Sequence, residues 1–259
     1  MRLKCQNNLK QIGLALHNYH DSYHVFPAGH RSLRPPGGKS YSGWTLDILP
    51  FLEQQALASA ADRAYAQDSD PFHNPPHTGL NTMVTIYTCP SDGRVASPQF
   101  APASKLLVAL TSYLGVEGQD WASRDGILFQ DSKISIGSIT DGTSQTLLVG
   151  ERPPSTDYQY GWWYAGTGQV MAGSGDMILG VREQNLQPVV PGSCPPGNYS
   201  FGPGRFNNQC DMFHFWSPHP GGANFLVADG SVHLLSYGAK PLMPALASRS
   251  GGEVISLPY

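Results

Sequence analysis

The stretch CQNNLKQIGLALHNYHDSY, residues 5–23, decides the fold. Cys5, Leu9, Ile12, Leu16, Tyr19 and Tyr23 follow one another at spacings of four, three, four, three and four. That rhythm puts them on one face of an amphipathic helix, with Asn7, Lys10, Gln11, Asn18 and Asp21 off the stripe. At about 1.5 Å per residue these 19 residues make a rod of roughly 28 Å. Pro27 and Gly29 end it. Met1-Arg2-Leu3-Lys4-Cys5 enters the helix with no capping side chain, so an apolar continuation upstream of Arg2 is expected, with a processing site before it. No run in the chain is long and apolar enough to span a bilayer.

Outward from this helix the pattern turns to strands. Asn224–Ala228 and Ser231–Leu235 flank Asp229-Gly230 and predict a β-hairpin with a two-residue type I′ turn. Thr82–Thr88 is β-branched and predicts a strand ending at Pro90. Further short strands are expected near 106–114, 126–129, 145–150 and 160–165. A second helix is expected from Pro50 to about Ala64, with loops at 31–43, 67–80 and 183–211. The fold class is therefore α+β: one N-terminal helix on an antiparallel sheet, read as a single domain of 259 residues. The 29 Gly and 22 Pro disfavour a helical bundle, and a net charge of −3 without a basic stripe excludes nucleic acid as a partner.

Four cysteines with no C-x-x-C pair suggest disulfides and an oxidising compartment. Cys194 and Cys210 bracket the irregular 183–211 segment, where a bridge contributes about 3 kcal/mol on the chain-entropy account. Cys5, on the helix face, and Cys89, at a strand end, are the candidate second pair, which if bonded staples helix to sheet.

Four segments together resemble one family. They are CQNNLKQIGLALHNYHD (5–21), TCPSD (88–92), ITDGTSQTLLVGE (139–151) and CDMFHFWSPHPGGANFLVADGSVH (210–233). In the last, nine residues separate His219 from Asp229-Gly230. This is similar to a large paralogous group of planctomycete pilin-like proteins with a C-terminal His–nine–Asp-Gly signature, variously described as a domain of unknown function, an extracellular solute-binding family and a pseudopilin-like transporter. The resemblance implies that residues 2–24 are the C-terminal half of a pilin helix. It also implies an extracellular or periplasmic location, a membrane attachment only through an N-terminal helix, and like subunits or secretion and pilus machinery as partners. Calcium is the metal it suggests, with Asp141, Asp211 and Asp229 as oxygen donors, but Asp141-Gly142 and Asp229-Gly230 are adequately explained as turns, and no cofactor is expected.

Chemistry is thinly signalled. His17, His20 and His24 form a strip beside the apolar helix face and are read as packing residues. His73, His77, His214 and His233 lack zinc-type spacing. His219 is assigned to orienting the Pro220-Gly221-Gly222 turn by a hydrogen bond. No G-x-S-x-G elbow occurs, and Glu117, Asp120, Asp125, Glu151, Asp176 and Glu183 offer carboxylates without singling out two for glycoside hydrolysis. The binding elements chosen are aromatic: Tyr158, Tyr160, Trp162, Trp163, Tyr164 and Trp216, with alternation sending Trp163 to the face opposite Trp162. The reading is a non-catalytic pilin- or pseudopilin-like subunit with a glycan or solute ligand, the alternative being a polysaccharide-active enzyme.

Overall fold

The computed structural model describes residues 1–32, 38–166, 175–187 and 193–253. In chain order the helices are α1 (Arg2–Tyr23), α2 (Trp44–Asp47), α3 (Gln55–Gln67) and α4 (Met243–Ala247). The strands are β1 (Gln99–Ala101), β2 (Leu106–Val108), β3 (Tyr113–Gly118), β4 (Leu147–Glu151), β5 (Ile178–Gly180), β6 (Arg182–Asn185), β7 (Gly197–Ser200), β8 (Gly222–Val227) and β9 (Val232–Ser236). The main sheet runs β5-β3-β4-β8-β9, antiparallel except for the parallel β5–β3 pair. Two small hairpins, β1–β2 and β6–β7, stand apart from it. No helix among the described residues is long and apolar enough to cross a membrane.

Both faces of the main sheet are covered. On one, α1 lays Cys5, Leu9, Ile12, Ala15 and Leu16 against Leu148, Val149, Leu226 and Ala228. On the other, Leu114, Val116, Phe225 and Val227 meet Phe201, Leu235 and the α4 residues Met243 and Leu246. Burying each Leu or Ile of the α1 face is worth about 1.5–3 kcal/mol. Gly13 sets how closely α1 approaches: a Cβ there would lie 2.7 Å from Leu226 Cδ1. The helix ends at His24, which takes a left-handed conformation and donates its N–H to His20 O. Tyr23 falls off the expected apolar face and is 60% exposed, because the helix stops before the chain folds back under it.

Several expected elements are rebuilt. Residues 82–88 form no strand but a single 3-10 turn at Thr85–Tyr87. Two of their carbonyls are claimed by side chains instead: Trp163 Nε1 donates to Thr82 O at 2.8 Å and Asn8 Nδ2 to Thr88 O at 2.9 Å. Residues 126–129 run beside β3, with Gly126 N–H on Glu117 O and Leu128 N–H on Val116 O, without forming a strand. Residues 160–165 give one isolated bridge, Leu110–Trp162, since Gly161 turns the backbone at φ +104° and Asp176 takes its N–H. The second helix starts later than Pro50; a 3-10 turn at Leu49–Leu52 and a left-handed Glu53 precede it. The 183–211 segment holds the β6–β7 hairpin, and its residues 188–192 lie outside the described ones, as do 33–37 of the 31–43 loop.

The C-terminal hairpin forms, with Ala223↔Leu235 and Phe225↔His233 in register. Its turn is not type I′. Gly230 N–H bonds Val227 O, Val227 N–H bonds Ser231 O, and only Gly230 has positive φ, at +86°. This is a three-residue type I turn closed by a Gly bulge, and the Asp229 carboxylate accepts from Ser231 N–H. Both disulfides are present, Cys5–Cys89 and Cys194–Cys210, each with Cα atoms 5.4 Å apart.

Candidate functional site

The four segments quoted above converge on one place beneath α1. Cys5 comes from the helix and Cys89 from the turn after residues 85–87. Glu151 ends β4, and His219 precedes β8. All four are buried. β4 and β8 pair Gly150 with Phe225, so the next residues, Glu151 and Asn224, face each other across the ladder. The Glu151 carboxylate accepts from Asn224 N–H at 2.6 Å and from Asn224 Nδ2 at 3.0 Å. Gln6 Nε2 then donates to Asn224 Oδ1 at 3.1 Å, joining α1 to the same network.

The His219 ring completes the centre. Its Nε2 lies 3.3 Å from Glu151 Oε1 and 3.6 Å from Cys89 Sγ. The expected hydrogen bond to the Pro220–Gly222 turn belongs to a different residue: Ser217 Oγ donates to Gly222 O and accepts from His219 N–H. The His219 side chain therefore points at the acid and the disulfide rather than at the turn. Among the described residues, Cys5, Cys89, Glu151 and His219 are the one group of three or more side chains of metal-ligating type gathered closely, with ligand atoms within 4.8 Å of one another.

The carboxylates separate into distinct roles. Glu117 and Glu183, both buried, share a hydrogen bond, and Glu183 also accepts from the N–H groups of Gly180, Trp121 and Gln184. Burial and mutual repulsion raise Glu117 well above the ordinary carboxylate range, and burial pushes Glu183 up to about 7. Carboxyls in direct contact lack the roughly 5–9.5 Å separation that glycoside hydrolysis uses. Asp176 accepts from Gly161 N–H, Asp125 from Gln119 N–H and Asp120 from Ser123 N–H, so each caps a turn. Buried Arg152 lies near Asp176 and donates to Pro153 O and Gly175 O; burial lowers it to about 10.

The aromatic residues form core rather than a platform. Trp162, Trp163, Tyr164 and Trp216 are all buried, so the outward ring expected from alternation is absent from this run. Their polar atoms are spent inside: Trp162 Nε1 on Tyr158 O, Trp163 Nε1 on Thr82 O and Trp216 Nε1 on Asp211 O. His77 Nε2 faces Asp68 O, which makes it the donor there and leaves Nδ1 to accept from Tyr164 O–H at 2.8 Å. Tyr158 and Tyr160 remain half-buried.

The aspartates considered for calcium lie in separate turns. Asp141 accepts from Gly251 and Gly252 N–H, Asp211 from Arg205 N–H and His214, and Asp229 from Ser231 N–H. His20 behaves as a packing residue: Nε2 accepts from Ile136 N–H, and burial lowers its basicity. Asn224 and the Glu117–Glu183 contact escape the sequence reading. A lone Asn inside the apolar run GGANFLVA was the one available signal for the first.

No curated protein and no solved structure matches the chain. A family profile does match it, over residues 2–239. With nearly the whole chain spanned, including all four residues of the buried centre, this protein belongs to the SBP_bac_10 family, described as a protein of unknown function (DUF1559).

Proposed function

We propose that the chain is a non-catalytic exported subunit that works by assembly through α1, in the manner of a pilin or pseudopilin, with like copies or secretion machinery as its partner. The observation carrying this reading is the contrast between the two faces of α1. The inner face is fixed by Leu9, Ile12 and Leu16, the Gly13 approach and the Cys5 bridge. The outer face leaves Leu3, Asn7, Lys10, Leu14, Asn18 and Asp21 exposed. Leu3 and Leu14 are separated by three helical turns and share one ridge, at 73% and 56% exposure. A helix held this firmly presents that ridge as a fixed docking line. Two disulfides support an extracellular or periplasmic setting. The structural hydrogen bonds of the six candidate carboxylates favour binding over hydrolysis.

The test is site-specific photo-crosslinking of the protein expressed in its native cell. A photoreactive residue at Leu14 should give self-linked or machinery-linked products, and one at Leu107, on β2, should not. Equal labelling at both positions overturns the proposal.

A carbohydrate ligand is the second reading. Phe206 favours it: the ring is 37% exposed, packs on Trp216 and has the Arg94 guanidinium 4.5 Å from its centroid, with Tyr158 beside the same guanidinium. Phe206→Ala should weaken polysaccharide retention by up to about tenfold. Retention unchanged by Phe206→Ala counts against it.

A further inference from the structure

The centre beneath α1 has the dimensions of a coordination site. A tetrahedral zinc-type ion with bonds of about 2.3 Å to sulfur and 2.0–2.1 Å to nitrogen or oxygen needs N···O separations near 3.3 Å and S···N separations near 3.6 Å. His219 Nε2 lies 3.3 Å from Glu151 Oε1 and 3.6 Å from Cys89 Sγ. The four ligand atoms fall within 4.8 Å of one another, and each residue is at most 6% exposed. Reduction frees both sulfurs, which then part to about 3.8 Å to serve as two thiolate ligands.

The surroundings complete the case. A ligating carboxylate needs an outer partner that fixes its orientation, and Glu151 has two such bonds from Asn224, itself held by Gln6. Cys89 is steadied through its N–H on Ser112 Oγ. Two thiolates and one carboxylate balance a dication to a net charge of −1, and the Asn224 donors sit against the carboxylate oxygens that carry the excess.

We propose that, when the Cys5–Cys89 bond is reduced, Cys5, Cys89, Glu151 and His219 bind one zinc-type dication and so hold α1 to the sheet without the disulfide. In that step a dithiol gives two electrons and two protons to the disulfide, becoming a disulfide itself and leaving two protein thiols. The ion then displaces both thiol protons to solvent as two metal–sulfur bonds form. The clamp thus has an oxidised covalent form and a reduced metal form built from the same side chains. This inference is independent of the assembly reading.

The experiment uses the intact chain, oxidised or reduced with a phosphine, titrated with Co²⁺ as a spectroscopic stand-in for zinc. The reduced protein should take up one Co²⁺ per chain with thiolate charge-transfer and tetrahedral ligand-field absorption, and the oxidised protein none. Asn224→Ala should weaken the reduced form's affinity by about 10–100-fold, as loss of an outer-shell partner does. His219→Gln should weaken it further. An arm needing no variant is alkylation of the reduced protein mapped by mass spectrometry: Co²⁺ should protect Cys5 and Cys89 and leave Cys194 and Cys210 reactive. Equal alkylation of all four thiols, uptake unchanged by His219→Gln, or a reduced chain that stays unfolded in excess Co²⁺ overturns the proposal.

Discussion

The main sheet carries two buried acidic centres, and they solve the cost of burying a carboxylate in opposite ways. At the end of β4, Glu151 meets donors: the Asn224 amide, the backbone N–H and the His219 ring. At the end of β3, Glu117 meets another acid, Glu183, and its Oε1 has no hydrogen-bond partner among the described residues. Hydrogen-bond donors offset the desolvation cost of a buried carboxyl group. Two acids in contact are stable only while they hold a proton between them. The first centre is therefore a clamp, and the second responds to pH.

The sharpest way to break this contrast is to remove the donors. Asn224→Leu removes the Nδ2 donor from buried Glu151 and leaves the backbone N–H in place, and unfolding by urea should show a loss of about 3 kcal/mol or more. A loss below about 1 kcal/mol would mean that the backbone N–H and His219 suffice for the acid. Next in size is the Cys194–Cys210 disulfide, which ties the β6–β7 connection to the 3-10 turn at Gln209–Phe213. Cys194→Ser with Cys210→Ser opens a loop whose ends are 16 residues apart and should cost about 3 kcal/mol by the same measurement, leaving the α1 centre's hydrogen exchange unchanged.

The acid pair gives the third. The folded state raises both carboxyls above their ordinary value of 4.5, Glu183 to about 7, so between those limits it binds more protons than the unfolded chain. Stability from this pair is thus fully present below pH 4.5 and is lost as pH rises toward and past 7. Glu117→Gln should flatten that slope and raise stability at pH 8 by on the order of 2 kcal/mol. A slope of unchanged steepness in the variant would assign the pH dependence elsewhere. The smallest effect is expected at the helix–sheet contact: Gly13→Ala should cost about 1–2 kcal/mol, since the added Cβ would lie 2.7 Å from Leu226 Cδ1 and the end of that side chain must swing away. A neutral result would mean that helix propensity outweighs the crowding.

What the sequence disclosed follows from how local each feature is. The α1 face and the hairpin at 222–236 are written in neighbours three, four or two residues apart, so periodicity reveals them. The turn type was misread because Asp-Gly suits both a two-residue type I′ turn and a type I turn with a Gly bulge, and Asp229 keeps negative φ. Thr82–Thr88 misled because β-branched residues predict an extended chain, whereas here Thr82 O and Thr88 O bond the side chains of Trp163 and Asn8 while Val84 O and Thr85 O close a local 3-10 turn. β3 shows no alternation because both its faces are buried, which hid Glu117 as core. The centre beneath α1 was out of reach: Glu151 and Asn224 are 73 residues apart, and Cys89 and His219 are 130.

The bridge from Cys5 to Cys89 also decides how the molecule bears a mechanical load. Tension applied at the start of α1 reaches Cys5 after one helical turn and passes through the sulfur atoms to Cys89, bypassing the chain between them. That separation of 84 positions, worth about 280–300 Å of extended contour, stays out of the force path while the bond is intact. A pull on the oxidised protein tests the turn at residue 89 and the strands beyond it, and α1 is not peeled from the sheet.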